Sequence, residues 1–109
     1  MATLVVQVLD LTPKEVTFAA CTASGDEFVN NGHIQLRFKN ADTSDKTVTI
    51  NSQKACNQGF DHDLSLTITA GKTKEINILD TYRFNDANGK VQITYSDVTS
   101  LSVAAVQIG

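Results

Sequence analysis

Cys56, Asp61, His62 and Asp63 place a thiol, an imidazole and two carboxylates in one short segment, the densest group in the chain that could do chemistry. Such donors suit zinc, but structural zinc sites use ligand pairs at C-x2-4-C or H-x3-5-H spacing, which this segment lacks. The pattern fits better a solvated loop in which Asp61 and Asp63 accept hydrogen bonds from turn amides. Cys21 or Cys56 with His33 or His62 would give a thiol and a base, yet nothing in the spacing marks an oxyanion hole or a group to orient the base. No G-x-x-x-x-G-K-[ST], G-x-G-x-x-G or H-E-x-x-H occurs. The residues therefore predict no catalytic site, no metal and no cofactor.

A second polar group, Asp80, Arg83, Asp86 and Asp97, reads as structure. Arg83 beside Phe84 and a run of Asn and Asp can cap a corner with charge-assisted hydrogen bonds. The functional alternative is that Arg83 and Phe84 anchor a neighbouring subunit, because arginine and aromatic residues are enriched in interface cores.

Around these residues the chain alternates. Ile34, Leu36 and Phe38 oppose Gln35, Arg37 and Lys39, and Val48 and Ile50 oppose Thr47, Thr49 and Asn51. This period of two marks strands with one face on a core. The same pattern over Asp63 to Thr69 and Lys74 to Leu79, with Ala70-Gly71-Lys72 between, predicts a hairpin. Tyr82 to Phe84 meets the turn run Asn85-Asp86-Ala87-Asn88-Gly89, which predicts a corner or hairpin with Gly89 at positive φ. Val91, Ile93 and Tyr95 then form a strand.

The ends of the chain differ from this half-polar rule. Thr3 to Leu9 predicts an opening strand that Pro13 terminates, and Val16 to Ala19 a short one after it. Ala20 to Gly32 predicts a loop with Phe28 tucked onto the core, and Gln53 to Asp63 a second long loop. Leu101 to Ile108 carries apolar residues on both faces, so it is either central in a sandwich or sits between chains. No stretch carries apolar residues at helical spacing over three turns.

Some eight short strands in 109 residues predict one all-β domain spanning 1–109, an antiparallel β-sandwich of immunoglobulin-like or jelly-roll-like type. With no Trp, the antibody-type core is excluded. A formal charge of −3 with scattered lysines offers no basic surface for phosphates, so no direct nucleic-acid partner is expected. The opening apolar run Leu4 to Val6 is too short for a membrane span or a leader core, and the expected site of synthesis is the cytoplasm. Pairing Cys21 with Cys56 would close a loop of roughly 35 residues worth about 3–4 kcal/mol. Free thiols are the expectation without a secretory leader.

The opening Ala-Thr-Leu-Val-Val-Gln, Val48-Thr49-Ile50-Asn51-Ser52-Gln53, Cys56-Asn57-Gln58-Gly59, Arg83 to Val91 and Ser102-Val103-Ala104-Ala105-Val106 together resemble a family of small structural proteins encoded by tailed bacteriophages. Ile78-Leu79-Asp80-Thr81 departs from that pattern in lacking Gly or Pro. The resemblance implies a β-sandwich in the virion, a capsid decoration or cement protein made in the host cytoplasm that sits on the major capsid protein. It brings no catalytic residues with it. The apolar terminal strands suggest self-association as a dimer or trimer, and Leu4, Val6, Val8, Arg83, Phe84, Val106 and Ile108 are the candidate contacts. The alternatives are a head-to-tail or tail protein and a glycan-binding or adhesion module, for which five Phe, two Tyr and no Trp supply few aromatic platforms.

Overall fold

The computed structural model describes residues 2–8, 15–52, 63–78 and 81–107. Among these residues ten strands and one helical turn follow in order: β1 Ala2–Thr3, β2 Val6–Val8, β3 Ala19–Ala20, β4 Asp26–Val29, β5 Ile34–Asn40, β6 Lys46–Ile50, β7 Leu64–Ile68, β8 Thr73–Ile78, α1 Thr81–Phe84, β9 Lys90–Tyr95 and β10 Leu101–Gln107. They build an all-β sandwich of two sheets. One runs β1-β4-β9-β6-β7 and the other β2-β10-β5-β8, with β3 also on β10.

From β3 onward there are eight strands, and their order chooses between the two expected topologies. One sheet holds the first, eighth, third and sixth of them, the other the second, seventh, fourth and fifth. That is the order of a jelly roll, two Greek keys wound into facing sheets. Every pairing within these eight is antiparallel.

The two extra strands come from the start of the chain and are not antiparallel. β1 runs parallel to β4, Ala2 opposite Asp26, and β2 runs parallel to β10, Val6 opposite Ala105. The expected single opening strand is thus split: residues 2–8 cross from one sheet to the other as a strap. Leu4 marks the crossing, where its N–H donates to Glu27 O at 2.7 Å. Gln7 holds the strap to the following segment by bonding both the N–H and the C=O of Thr17, each at 2.8 Å.

The core follows from alternation. Ile34, Leu36 and Phe38 of β5, Val48 and Ile50 of β6, and Val91 and Ile93 of β9 are all buried between the sheets. Phe38 and Tyr95 meet edge to face across the layers, with centroids 6.5 Å apart. β10 is central in its sheet, flanked by β5 on one side and by β2 and β3 on the other. Leu101, Val103 and Ala105 join the core, whereas Ala104 and Val106 are buried outside that cluster, in register with Arg37 and Gln35. The stems of long polar side chains commonly cover such small apolar residues.

Three expectations are corrected. Residues 20–32 are not one loop, because β4 forms within them and places Phe28 fully in the core. β7 and β8 exist at the expected residues but form no hairpin with each other. β7 pairs with β6 and β8 with β5, so the turn at Gly71 (φ 72°) carries the chain between sheets. The corner before β9 begins with the helical turn α1, not with an extended run. The connection around Pro13 and the loop residues 53–62 lie outside the described residues.

The end of the sandwich near residues 40–46 and 96–100 is closed by polar side chains. Lys46 is 2% exposed, yet its ammonium donates to Asp42 Oδ2 and Asp97 Oδ2, both at 2.7 Å, and to Ser44 Oγ at 3.2 Å. All three ammonium donors are used, which is what a buried charge requires. Asn40 beside it donates to Ser44 O and Ile68 O and accepts from Asp42 N–H.

Candidate functional site

The opposite end gathers most of the candidate contact residues, and hydrogen bonds among asparagines assemble it. Asn30 Nδ2 donates to Asn85 Oδ1 at 2.9 Å, while Asn85 Nδ2 donates back to Asn30 O at 2.8 Å. This reciprocal pair fastens the end of β4 to the corner after α1. Asn31 Nδ2 in turn donates to Gln107 Oε1 at 3.1 Å, and Gln107 lies in register with Val8. The strap, the last strand and the corner therefore meet at one face of the molecule.

Asp86 organises the corner from within. Its Oδ1 accepts from the N–H groups of Asn88 and Lys90, its Oδ2 accepts from Gln92 Nε2 at 2.8 Å, and its backbone C=O accepts from Gly89 N–H at 3.0 Å. These bonds, that from Lys90 N–H foremost, hold its carboxyl below the usual carboxylate range. Gly89 closes the turn at φ 74° with open space where a Cβ would be. Next to the turn, Glu27 takes hydrogen bonds from Lys90 Nζ at 3.0 Å, Gln92 Nε2 and Thr3 Oγ1, and the Lys90 bond leads in holding its carboxyl below the usual carboxylate range.

Burial separates the candidates. Phe84 is 5% and Val106 0% exposed, so both are structural and offer nothing to a partner as the domain stands. Leu4 and Val6 pack against the core from the strap. Arg83 lies over the Phe84 ring, 4.7 Å from its centroid. Val8 is exposed, and Ile108 lies outside the described residues.

The structure adds three exposed apolar residues that the sequence did not single out: Val5 (81%), Tyr82 (75%) and Val29 (54%). Val29 sits opposite Lys90 at the end of β4, next to the asparagine pair, and Val5 follows Leu4 where the strap crosses between the sheets. The signal for Val29 was the Asn30-Asn31-Gly32 turn, which places the residue before it at a strand end.

The candidate chemistry does not converge among the described residues. Cys21 is a free, buried thiol that burial pushes up to about 12. It bonds through its N–H to Leu101 O, whereas His33 adjoins Ile34, opposite Gln107. The six steps of β10 between Leu101 and Gln107 set these groups about 20 Å apart, too far for a thiol and its base. Asp63 accepts from Ser52 N–H at 2.8 Å, the amide-binding role expected of it. Cys56, Asp61, His62 and Asp80 lie outside the described residues.

Among the described residues no helix is long and apolar enough to cross a membrane. Compared with known protein families, curated proteins and solved structures, the chain matches none of them.

Proposed function

We propose that this chain is a virion structural protein, a capsid decoration or cement protein that docks on the major capsid protein and stabilises the head. The observation that carries the reading is the jelly-roll strand order, an architecture much used by viral capsid domains. Fold alone is an analogy for function, and the resemblance of the sequence to tailed-phage structural proteins points the same way. The contact face is the end that carries Val5, Val8, Val29 and Tyr82, where apolar side chains stand on a corner fixed by hydrogen bonds. Weak contacts of this kind sum to firm attachment when many copies repeat over a shell.

The test is reconstitution. Purified protein added to capsids that lack it should fill a repeating set of sites on the head, seen by electron microscopy, and Val5→Asp with Tyr82→Ala should reduce occupancy while leaving the fold intact. Binding confined to the neck or tail would transfer the chain to a head-to-tail or tail role. Saturable sugar binding without capsid binding would make it a glycan-binding module. Among the described residues, Tyr82 is the aromatic side chain exposed enough to serve as a platform for that role.

A further inference from the structure

The chain contains two Asn-Gly pairs, Asn31-Gly32 and Asn88-Gly89. An asparagine before glycine is open to attack on its side-chain amide by the following backbone nitrogen, because glycine has no Cβ to hinder the approach and the two groups are already joined. The structure makes the two pairs unequal. Asn31 is held at both ends of its amide: Oδ1 accepts from His33 N–H at 3.0 Å and Nδ2 donates to Gln107 Oε1 at 3.1 Å. Asn88 is exposed on the corner before β9, and its main-chain N–H donates to Asp86 Oδ1 at 2.8 Å. Among the described residues nothing bonds to its side chain, which is free to turn onto the chain that follows it.

The attacking nitrogens are matched, so they do not favour either site. Gly32 N–H donates to Asn30 Oδ1 and Gly89 N–H to Asp86 O, both at 3.0 Å, and each gives up one bond before it attacks. Around Gly89 no atom beyond its chain neighbours lies within 4 Å of where a Cβ would stand, which leaves room for a ring to close and for water to reach it.

We propose that Asn88 is a site of spontaneous deamidation that reacts ahead of Asn31. The Gly89 nitrogen bonds to Asn88 Cγ, the Cγ–Nδ2 bond breaks, and the proton from the Gly89 nitrogen leaves with the amide group as ammonia. Water then opens the cyclic imide at either carbonyl to give aspartate or isoaspartate, and nothing is oxidised or reduced. Either product adds a negative charge beside Asp86, and isoaspartate lengthens the main chain inside the turn that Gly89 N–H closes onto Asp86 O. The inference is independent of capsid docking.

The test incubates the native chain at mildly alkaline pH and follows its peptides by mass spectrometry, with an isoaspartyl methyltransferase assay for the product. Asn88 should convert roughly tenfold faster than Asn31, the factor expected when two net hydrogen bonds are given up at the slower site. In urea, where those bonds are absent, the two rates should converge. Gln107→Ala removes one of the bonds and should speed Asn31 severalfold while leaving Asn88 unchanged. The proposal is overturned if Asn88 stays intact in the native chain, if Asn31 keeps pace with it, if the gap persists in urea, if Gln107→Ala leaves Asn31 as slow as before, or if the product contains no isoaspartate.

Discussion

Gly89 shows how little of a turn depends on contacts. No atom lies where its Cβ would be, yet φ is 74°, a conformation that β-branched side chains resist. Gly89→Val should therefore destabilise the domain by about 1–3 kcal/mol, measured by chemical denaturation, and a variant that melts like the parent would refute the strain argument. Phe28 sets the scale for the core: it is fully buried, and Phe28→Ala should cost about 3–5 kcal/mol by the same measurement. The glycine was legible because Asn-Gly sequences announce positive φ. The reciprocal bond between Asn30 and Asn85 was not, because nothing local tells two asparagines 55 residues apart that they will meet. Asp26 and Lys46 were equally hidden. A charged residue in a strand reads as solvent-facing, and only the three-dimensional partners reveal the buried exception.

Strands with strict alternation, β5, β6 and β9, were readable because each keeps one face on the core along its whole length. β4 was not, since Asp26-Glu27-Phe28-Val29 buries a carboxylate and exposes a valine and so breaks the usual code. The sequence between β7 and β8 spells a turn correctly, but a turn does not say whether the next strand returns to the same sheet. Parallel pairing of the strap leaves no local mark at all, which is why Thr3 to Leu9 looked like one strand. The strap makes few ladder bonds and has exposed residues on its outer side, so it belongs to the least protected part of the fold. In hydrogen exchange, the amides of Ala2 and Leu4, bonded to Gly25 O and Glu27 O, should exchange well before those of β5 and β10. Equal protection across these elements would show the strap to be an integral strand.

The charged groups act on the stability of the molecule as a whole. Glu27, Asp42, Asp86 and Asp97 sit below their ordinary values, Asp97 at about 2 with its bond from Lys46 as the leading cause. A lowered carboxylate stabilises the fold above its unfolded value and loses that contribution as pH falls through its folded one. Lys46 has the opposite sign: bonds from its ammonium, first to Asp42, raise it above 10.5, so its contribution is complete below that pH and lost as pH climbs beyond it. The thermal midpoint should hold level through neutral pH and drop most steeply between about pH 4 and 2. Because the Asp97 side chain is 52% exposed, salt should shrink its share of the drop. A midpoint unaffected by acid would show that these pairs do not couple to folding. Jelly-roll order has a temporal side as well. Of the described strands β10 is made after all the others, yet it holds β5 to both β2 and β3. Until residues 101–107 emerge, the earlier strands of that sheet wait with open edges, and nascent chains of this domain are at their stickiest just before β10 joins them.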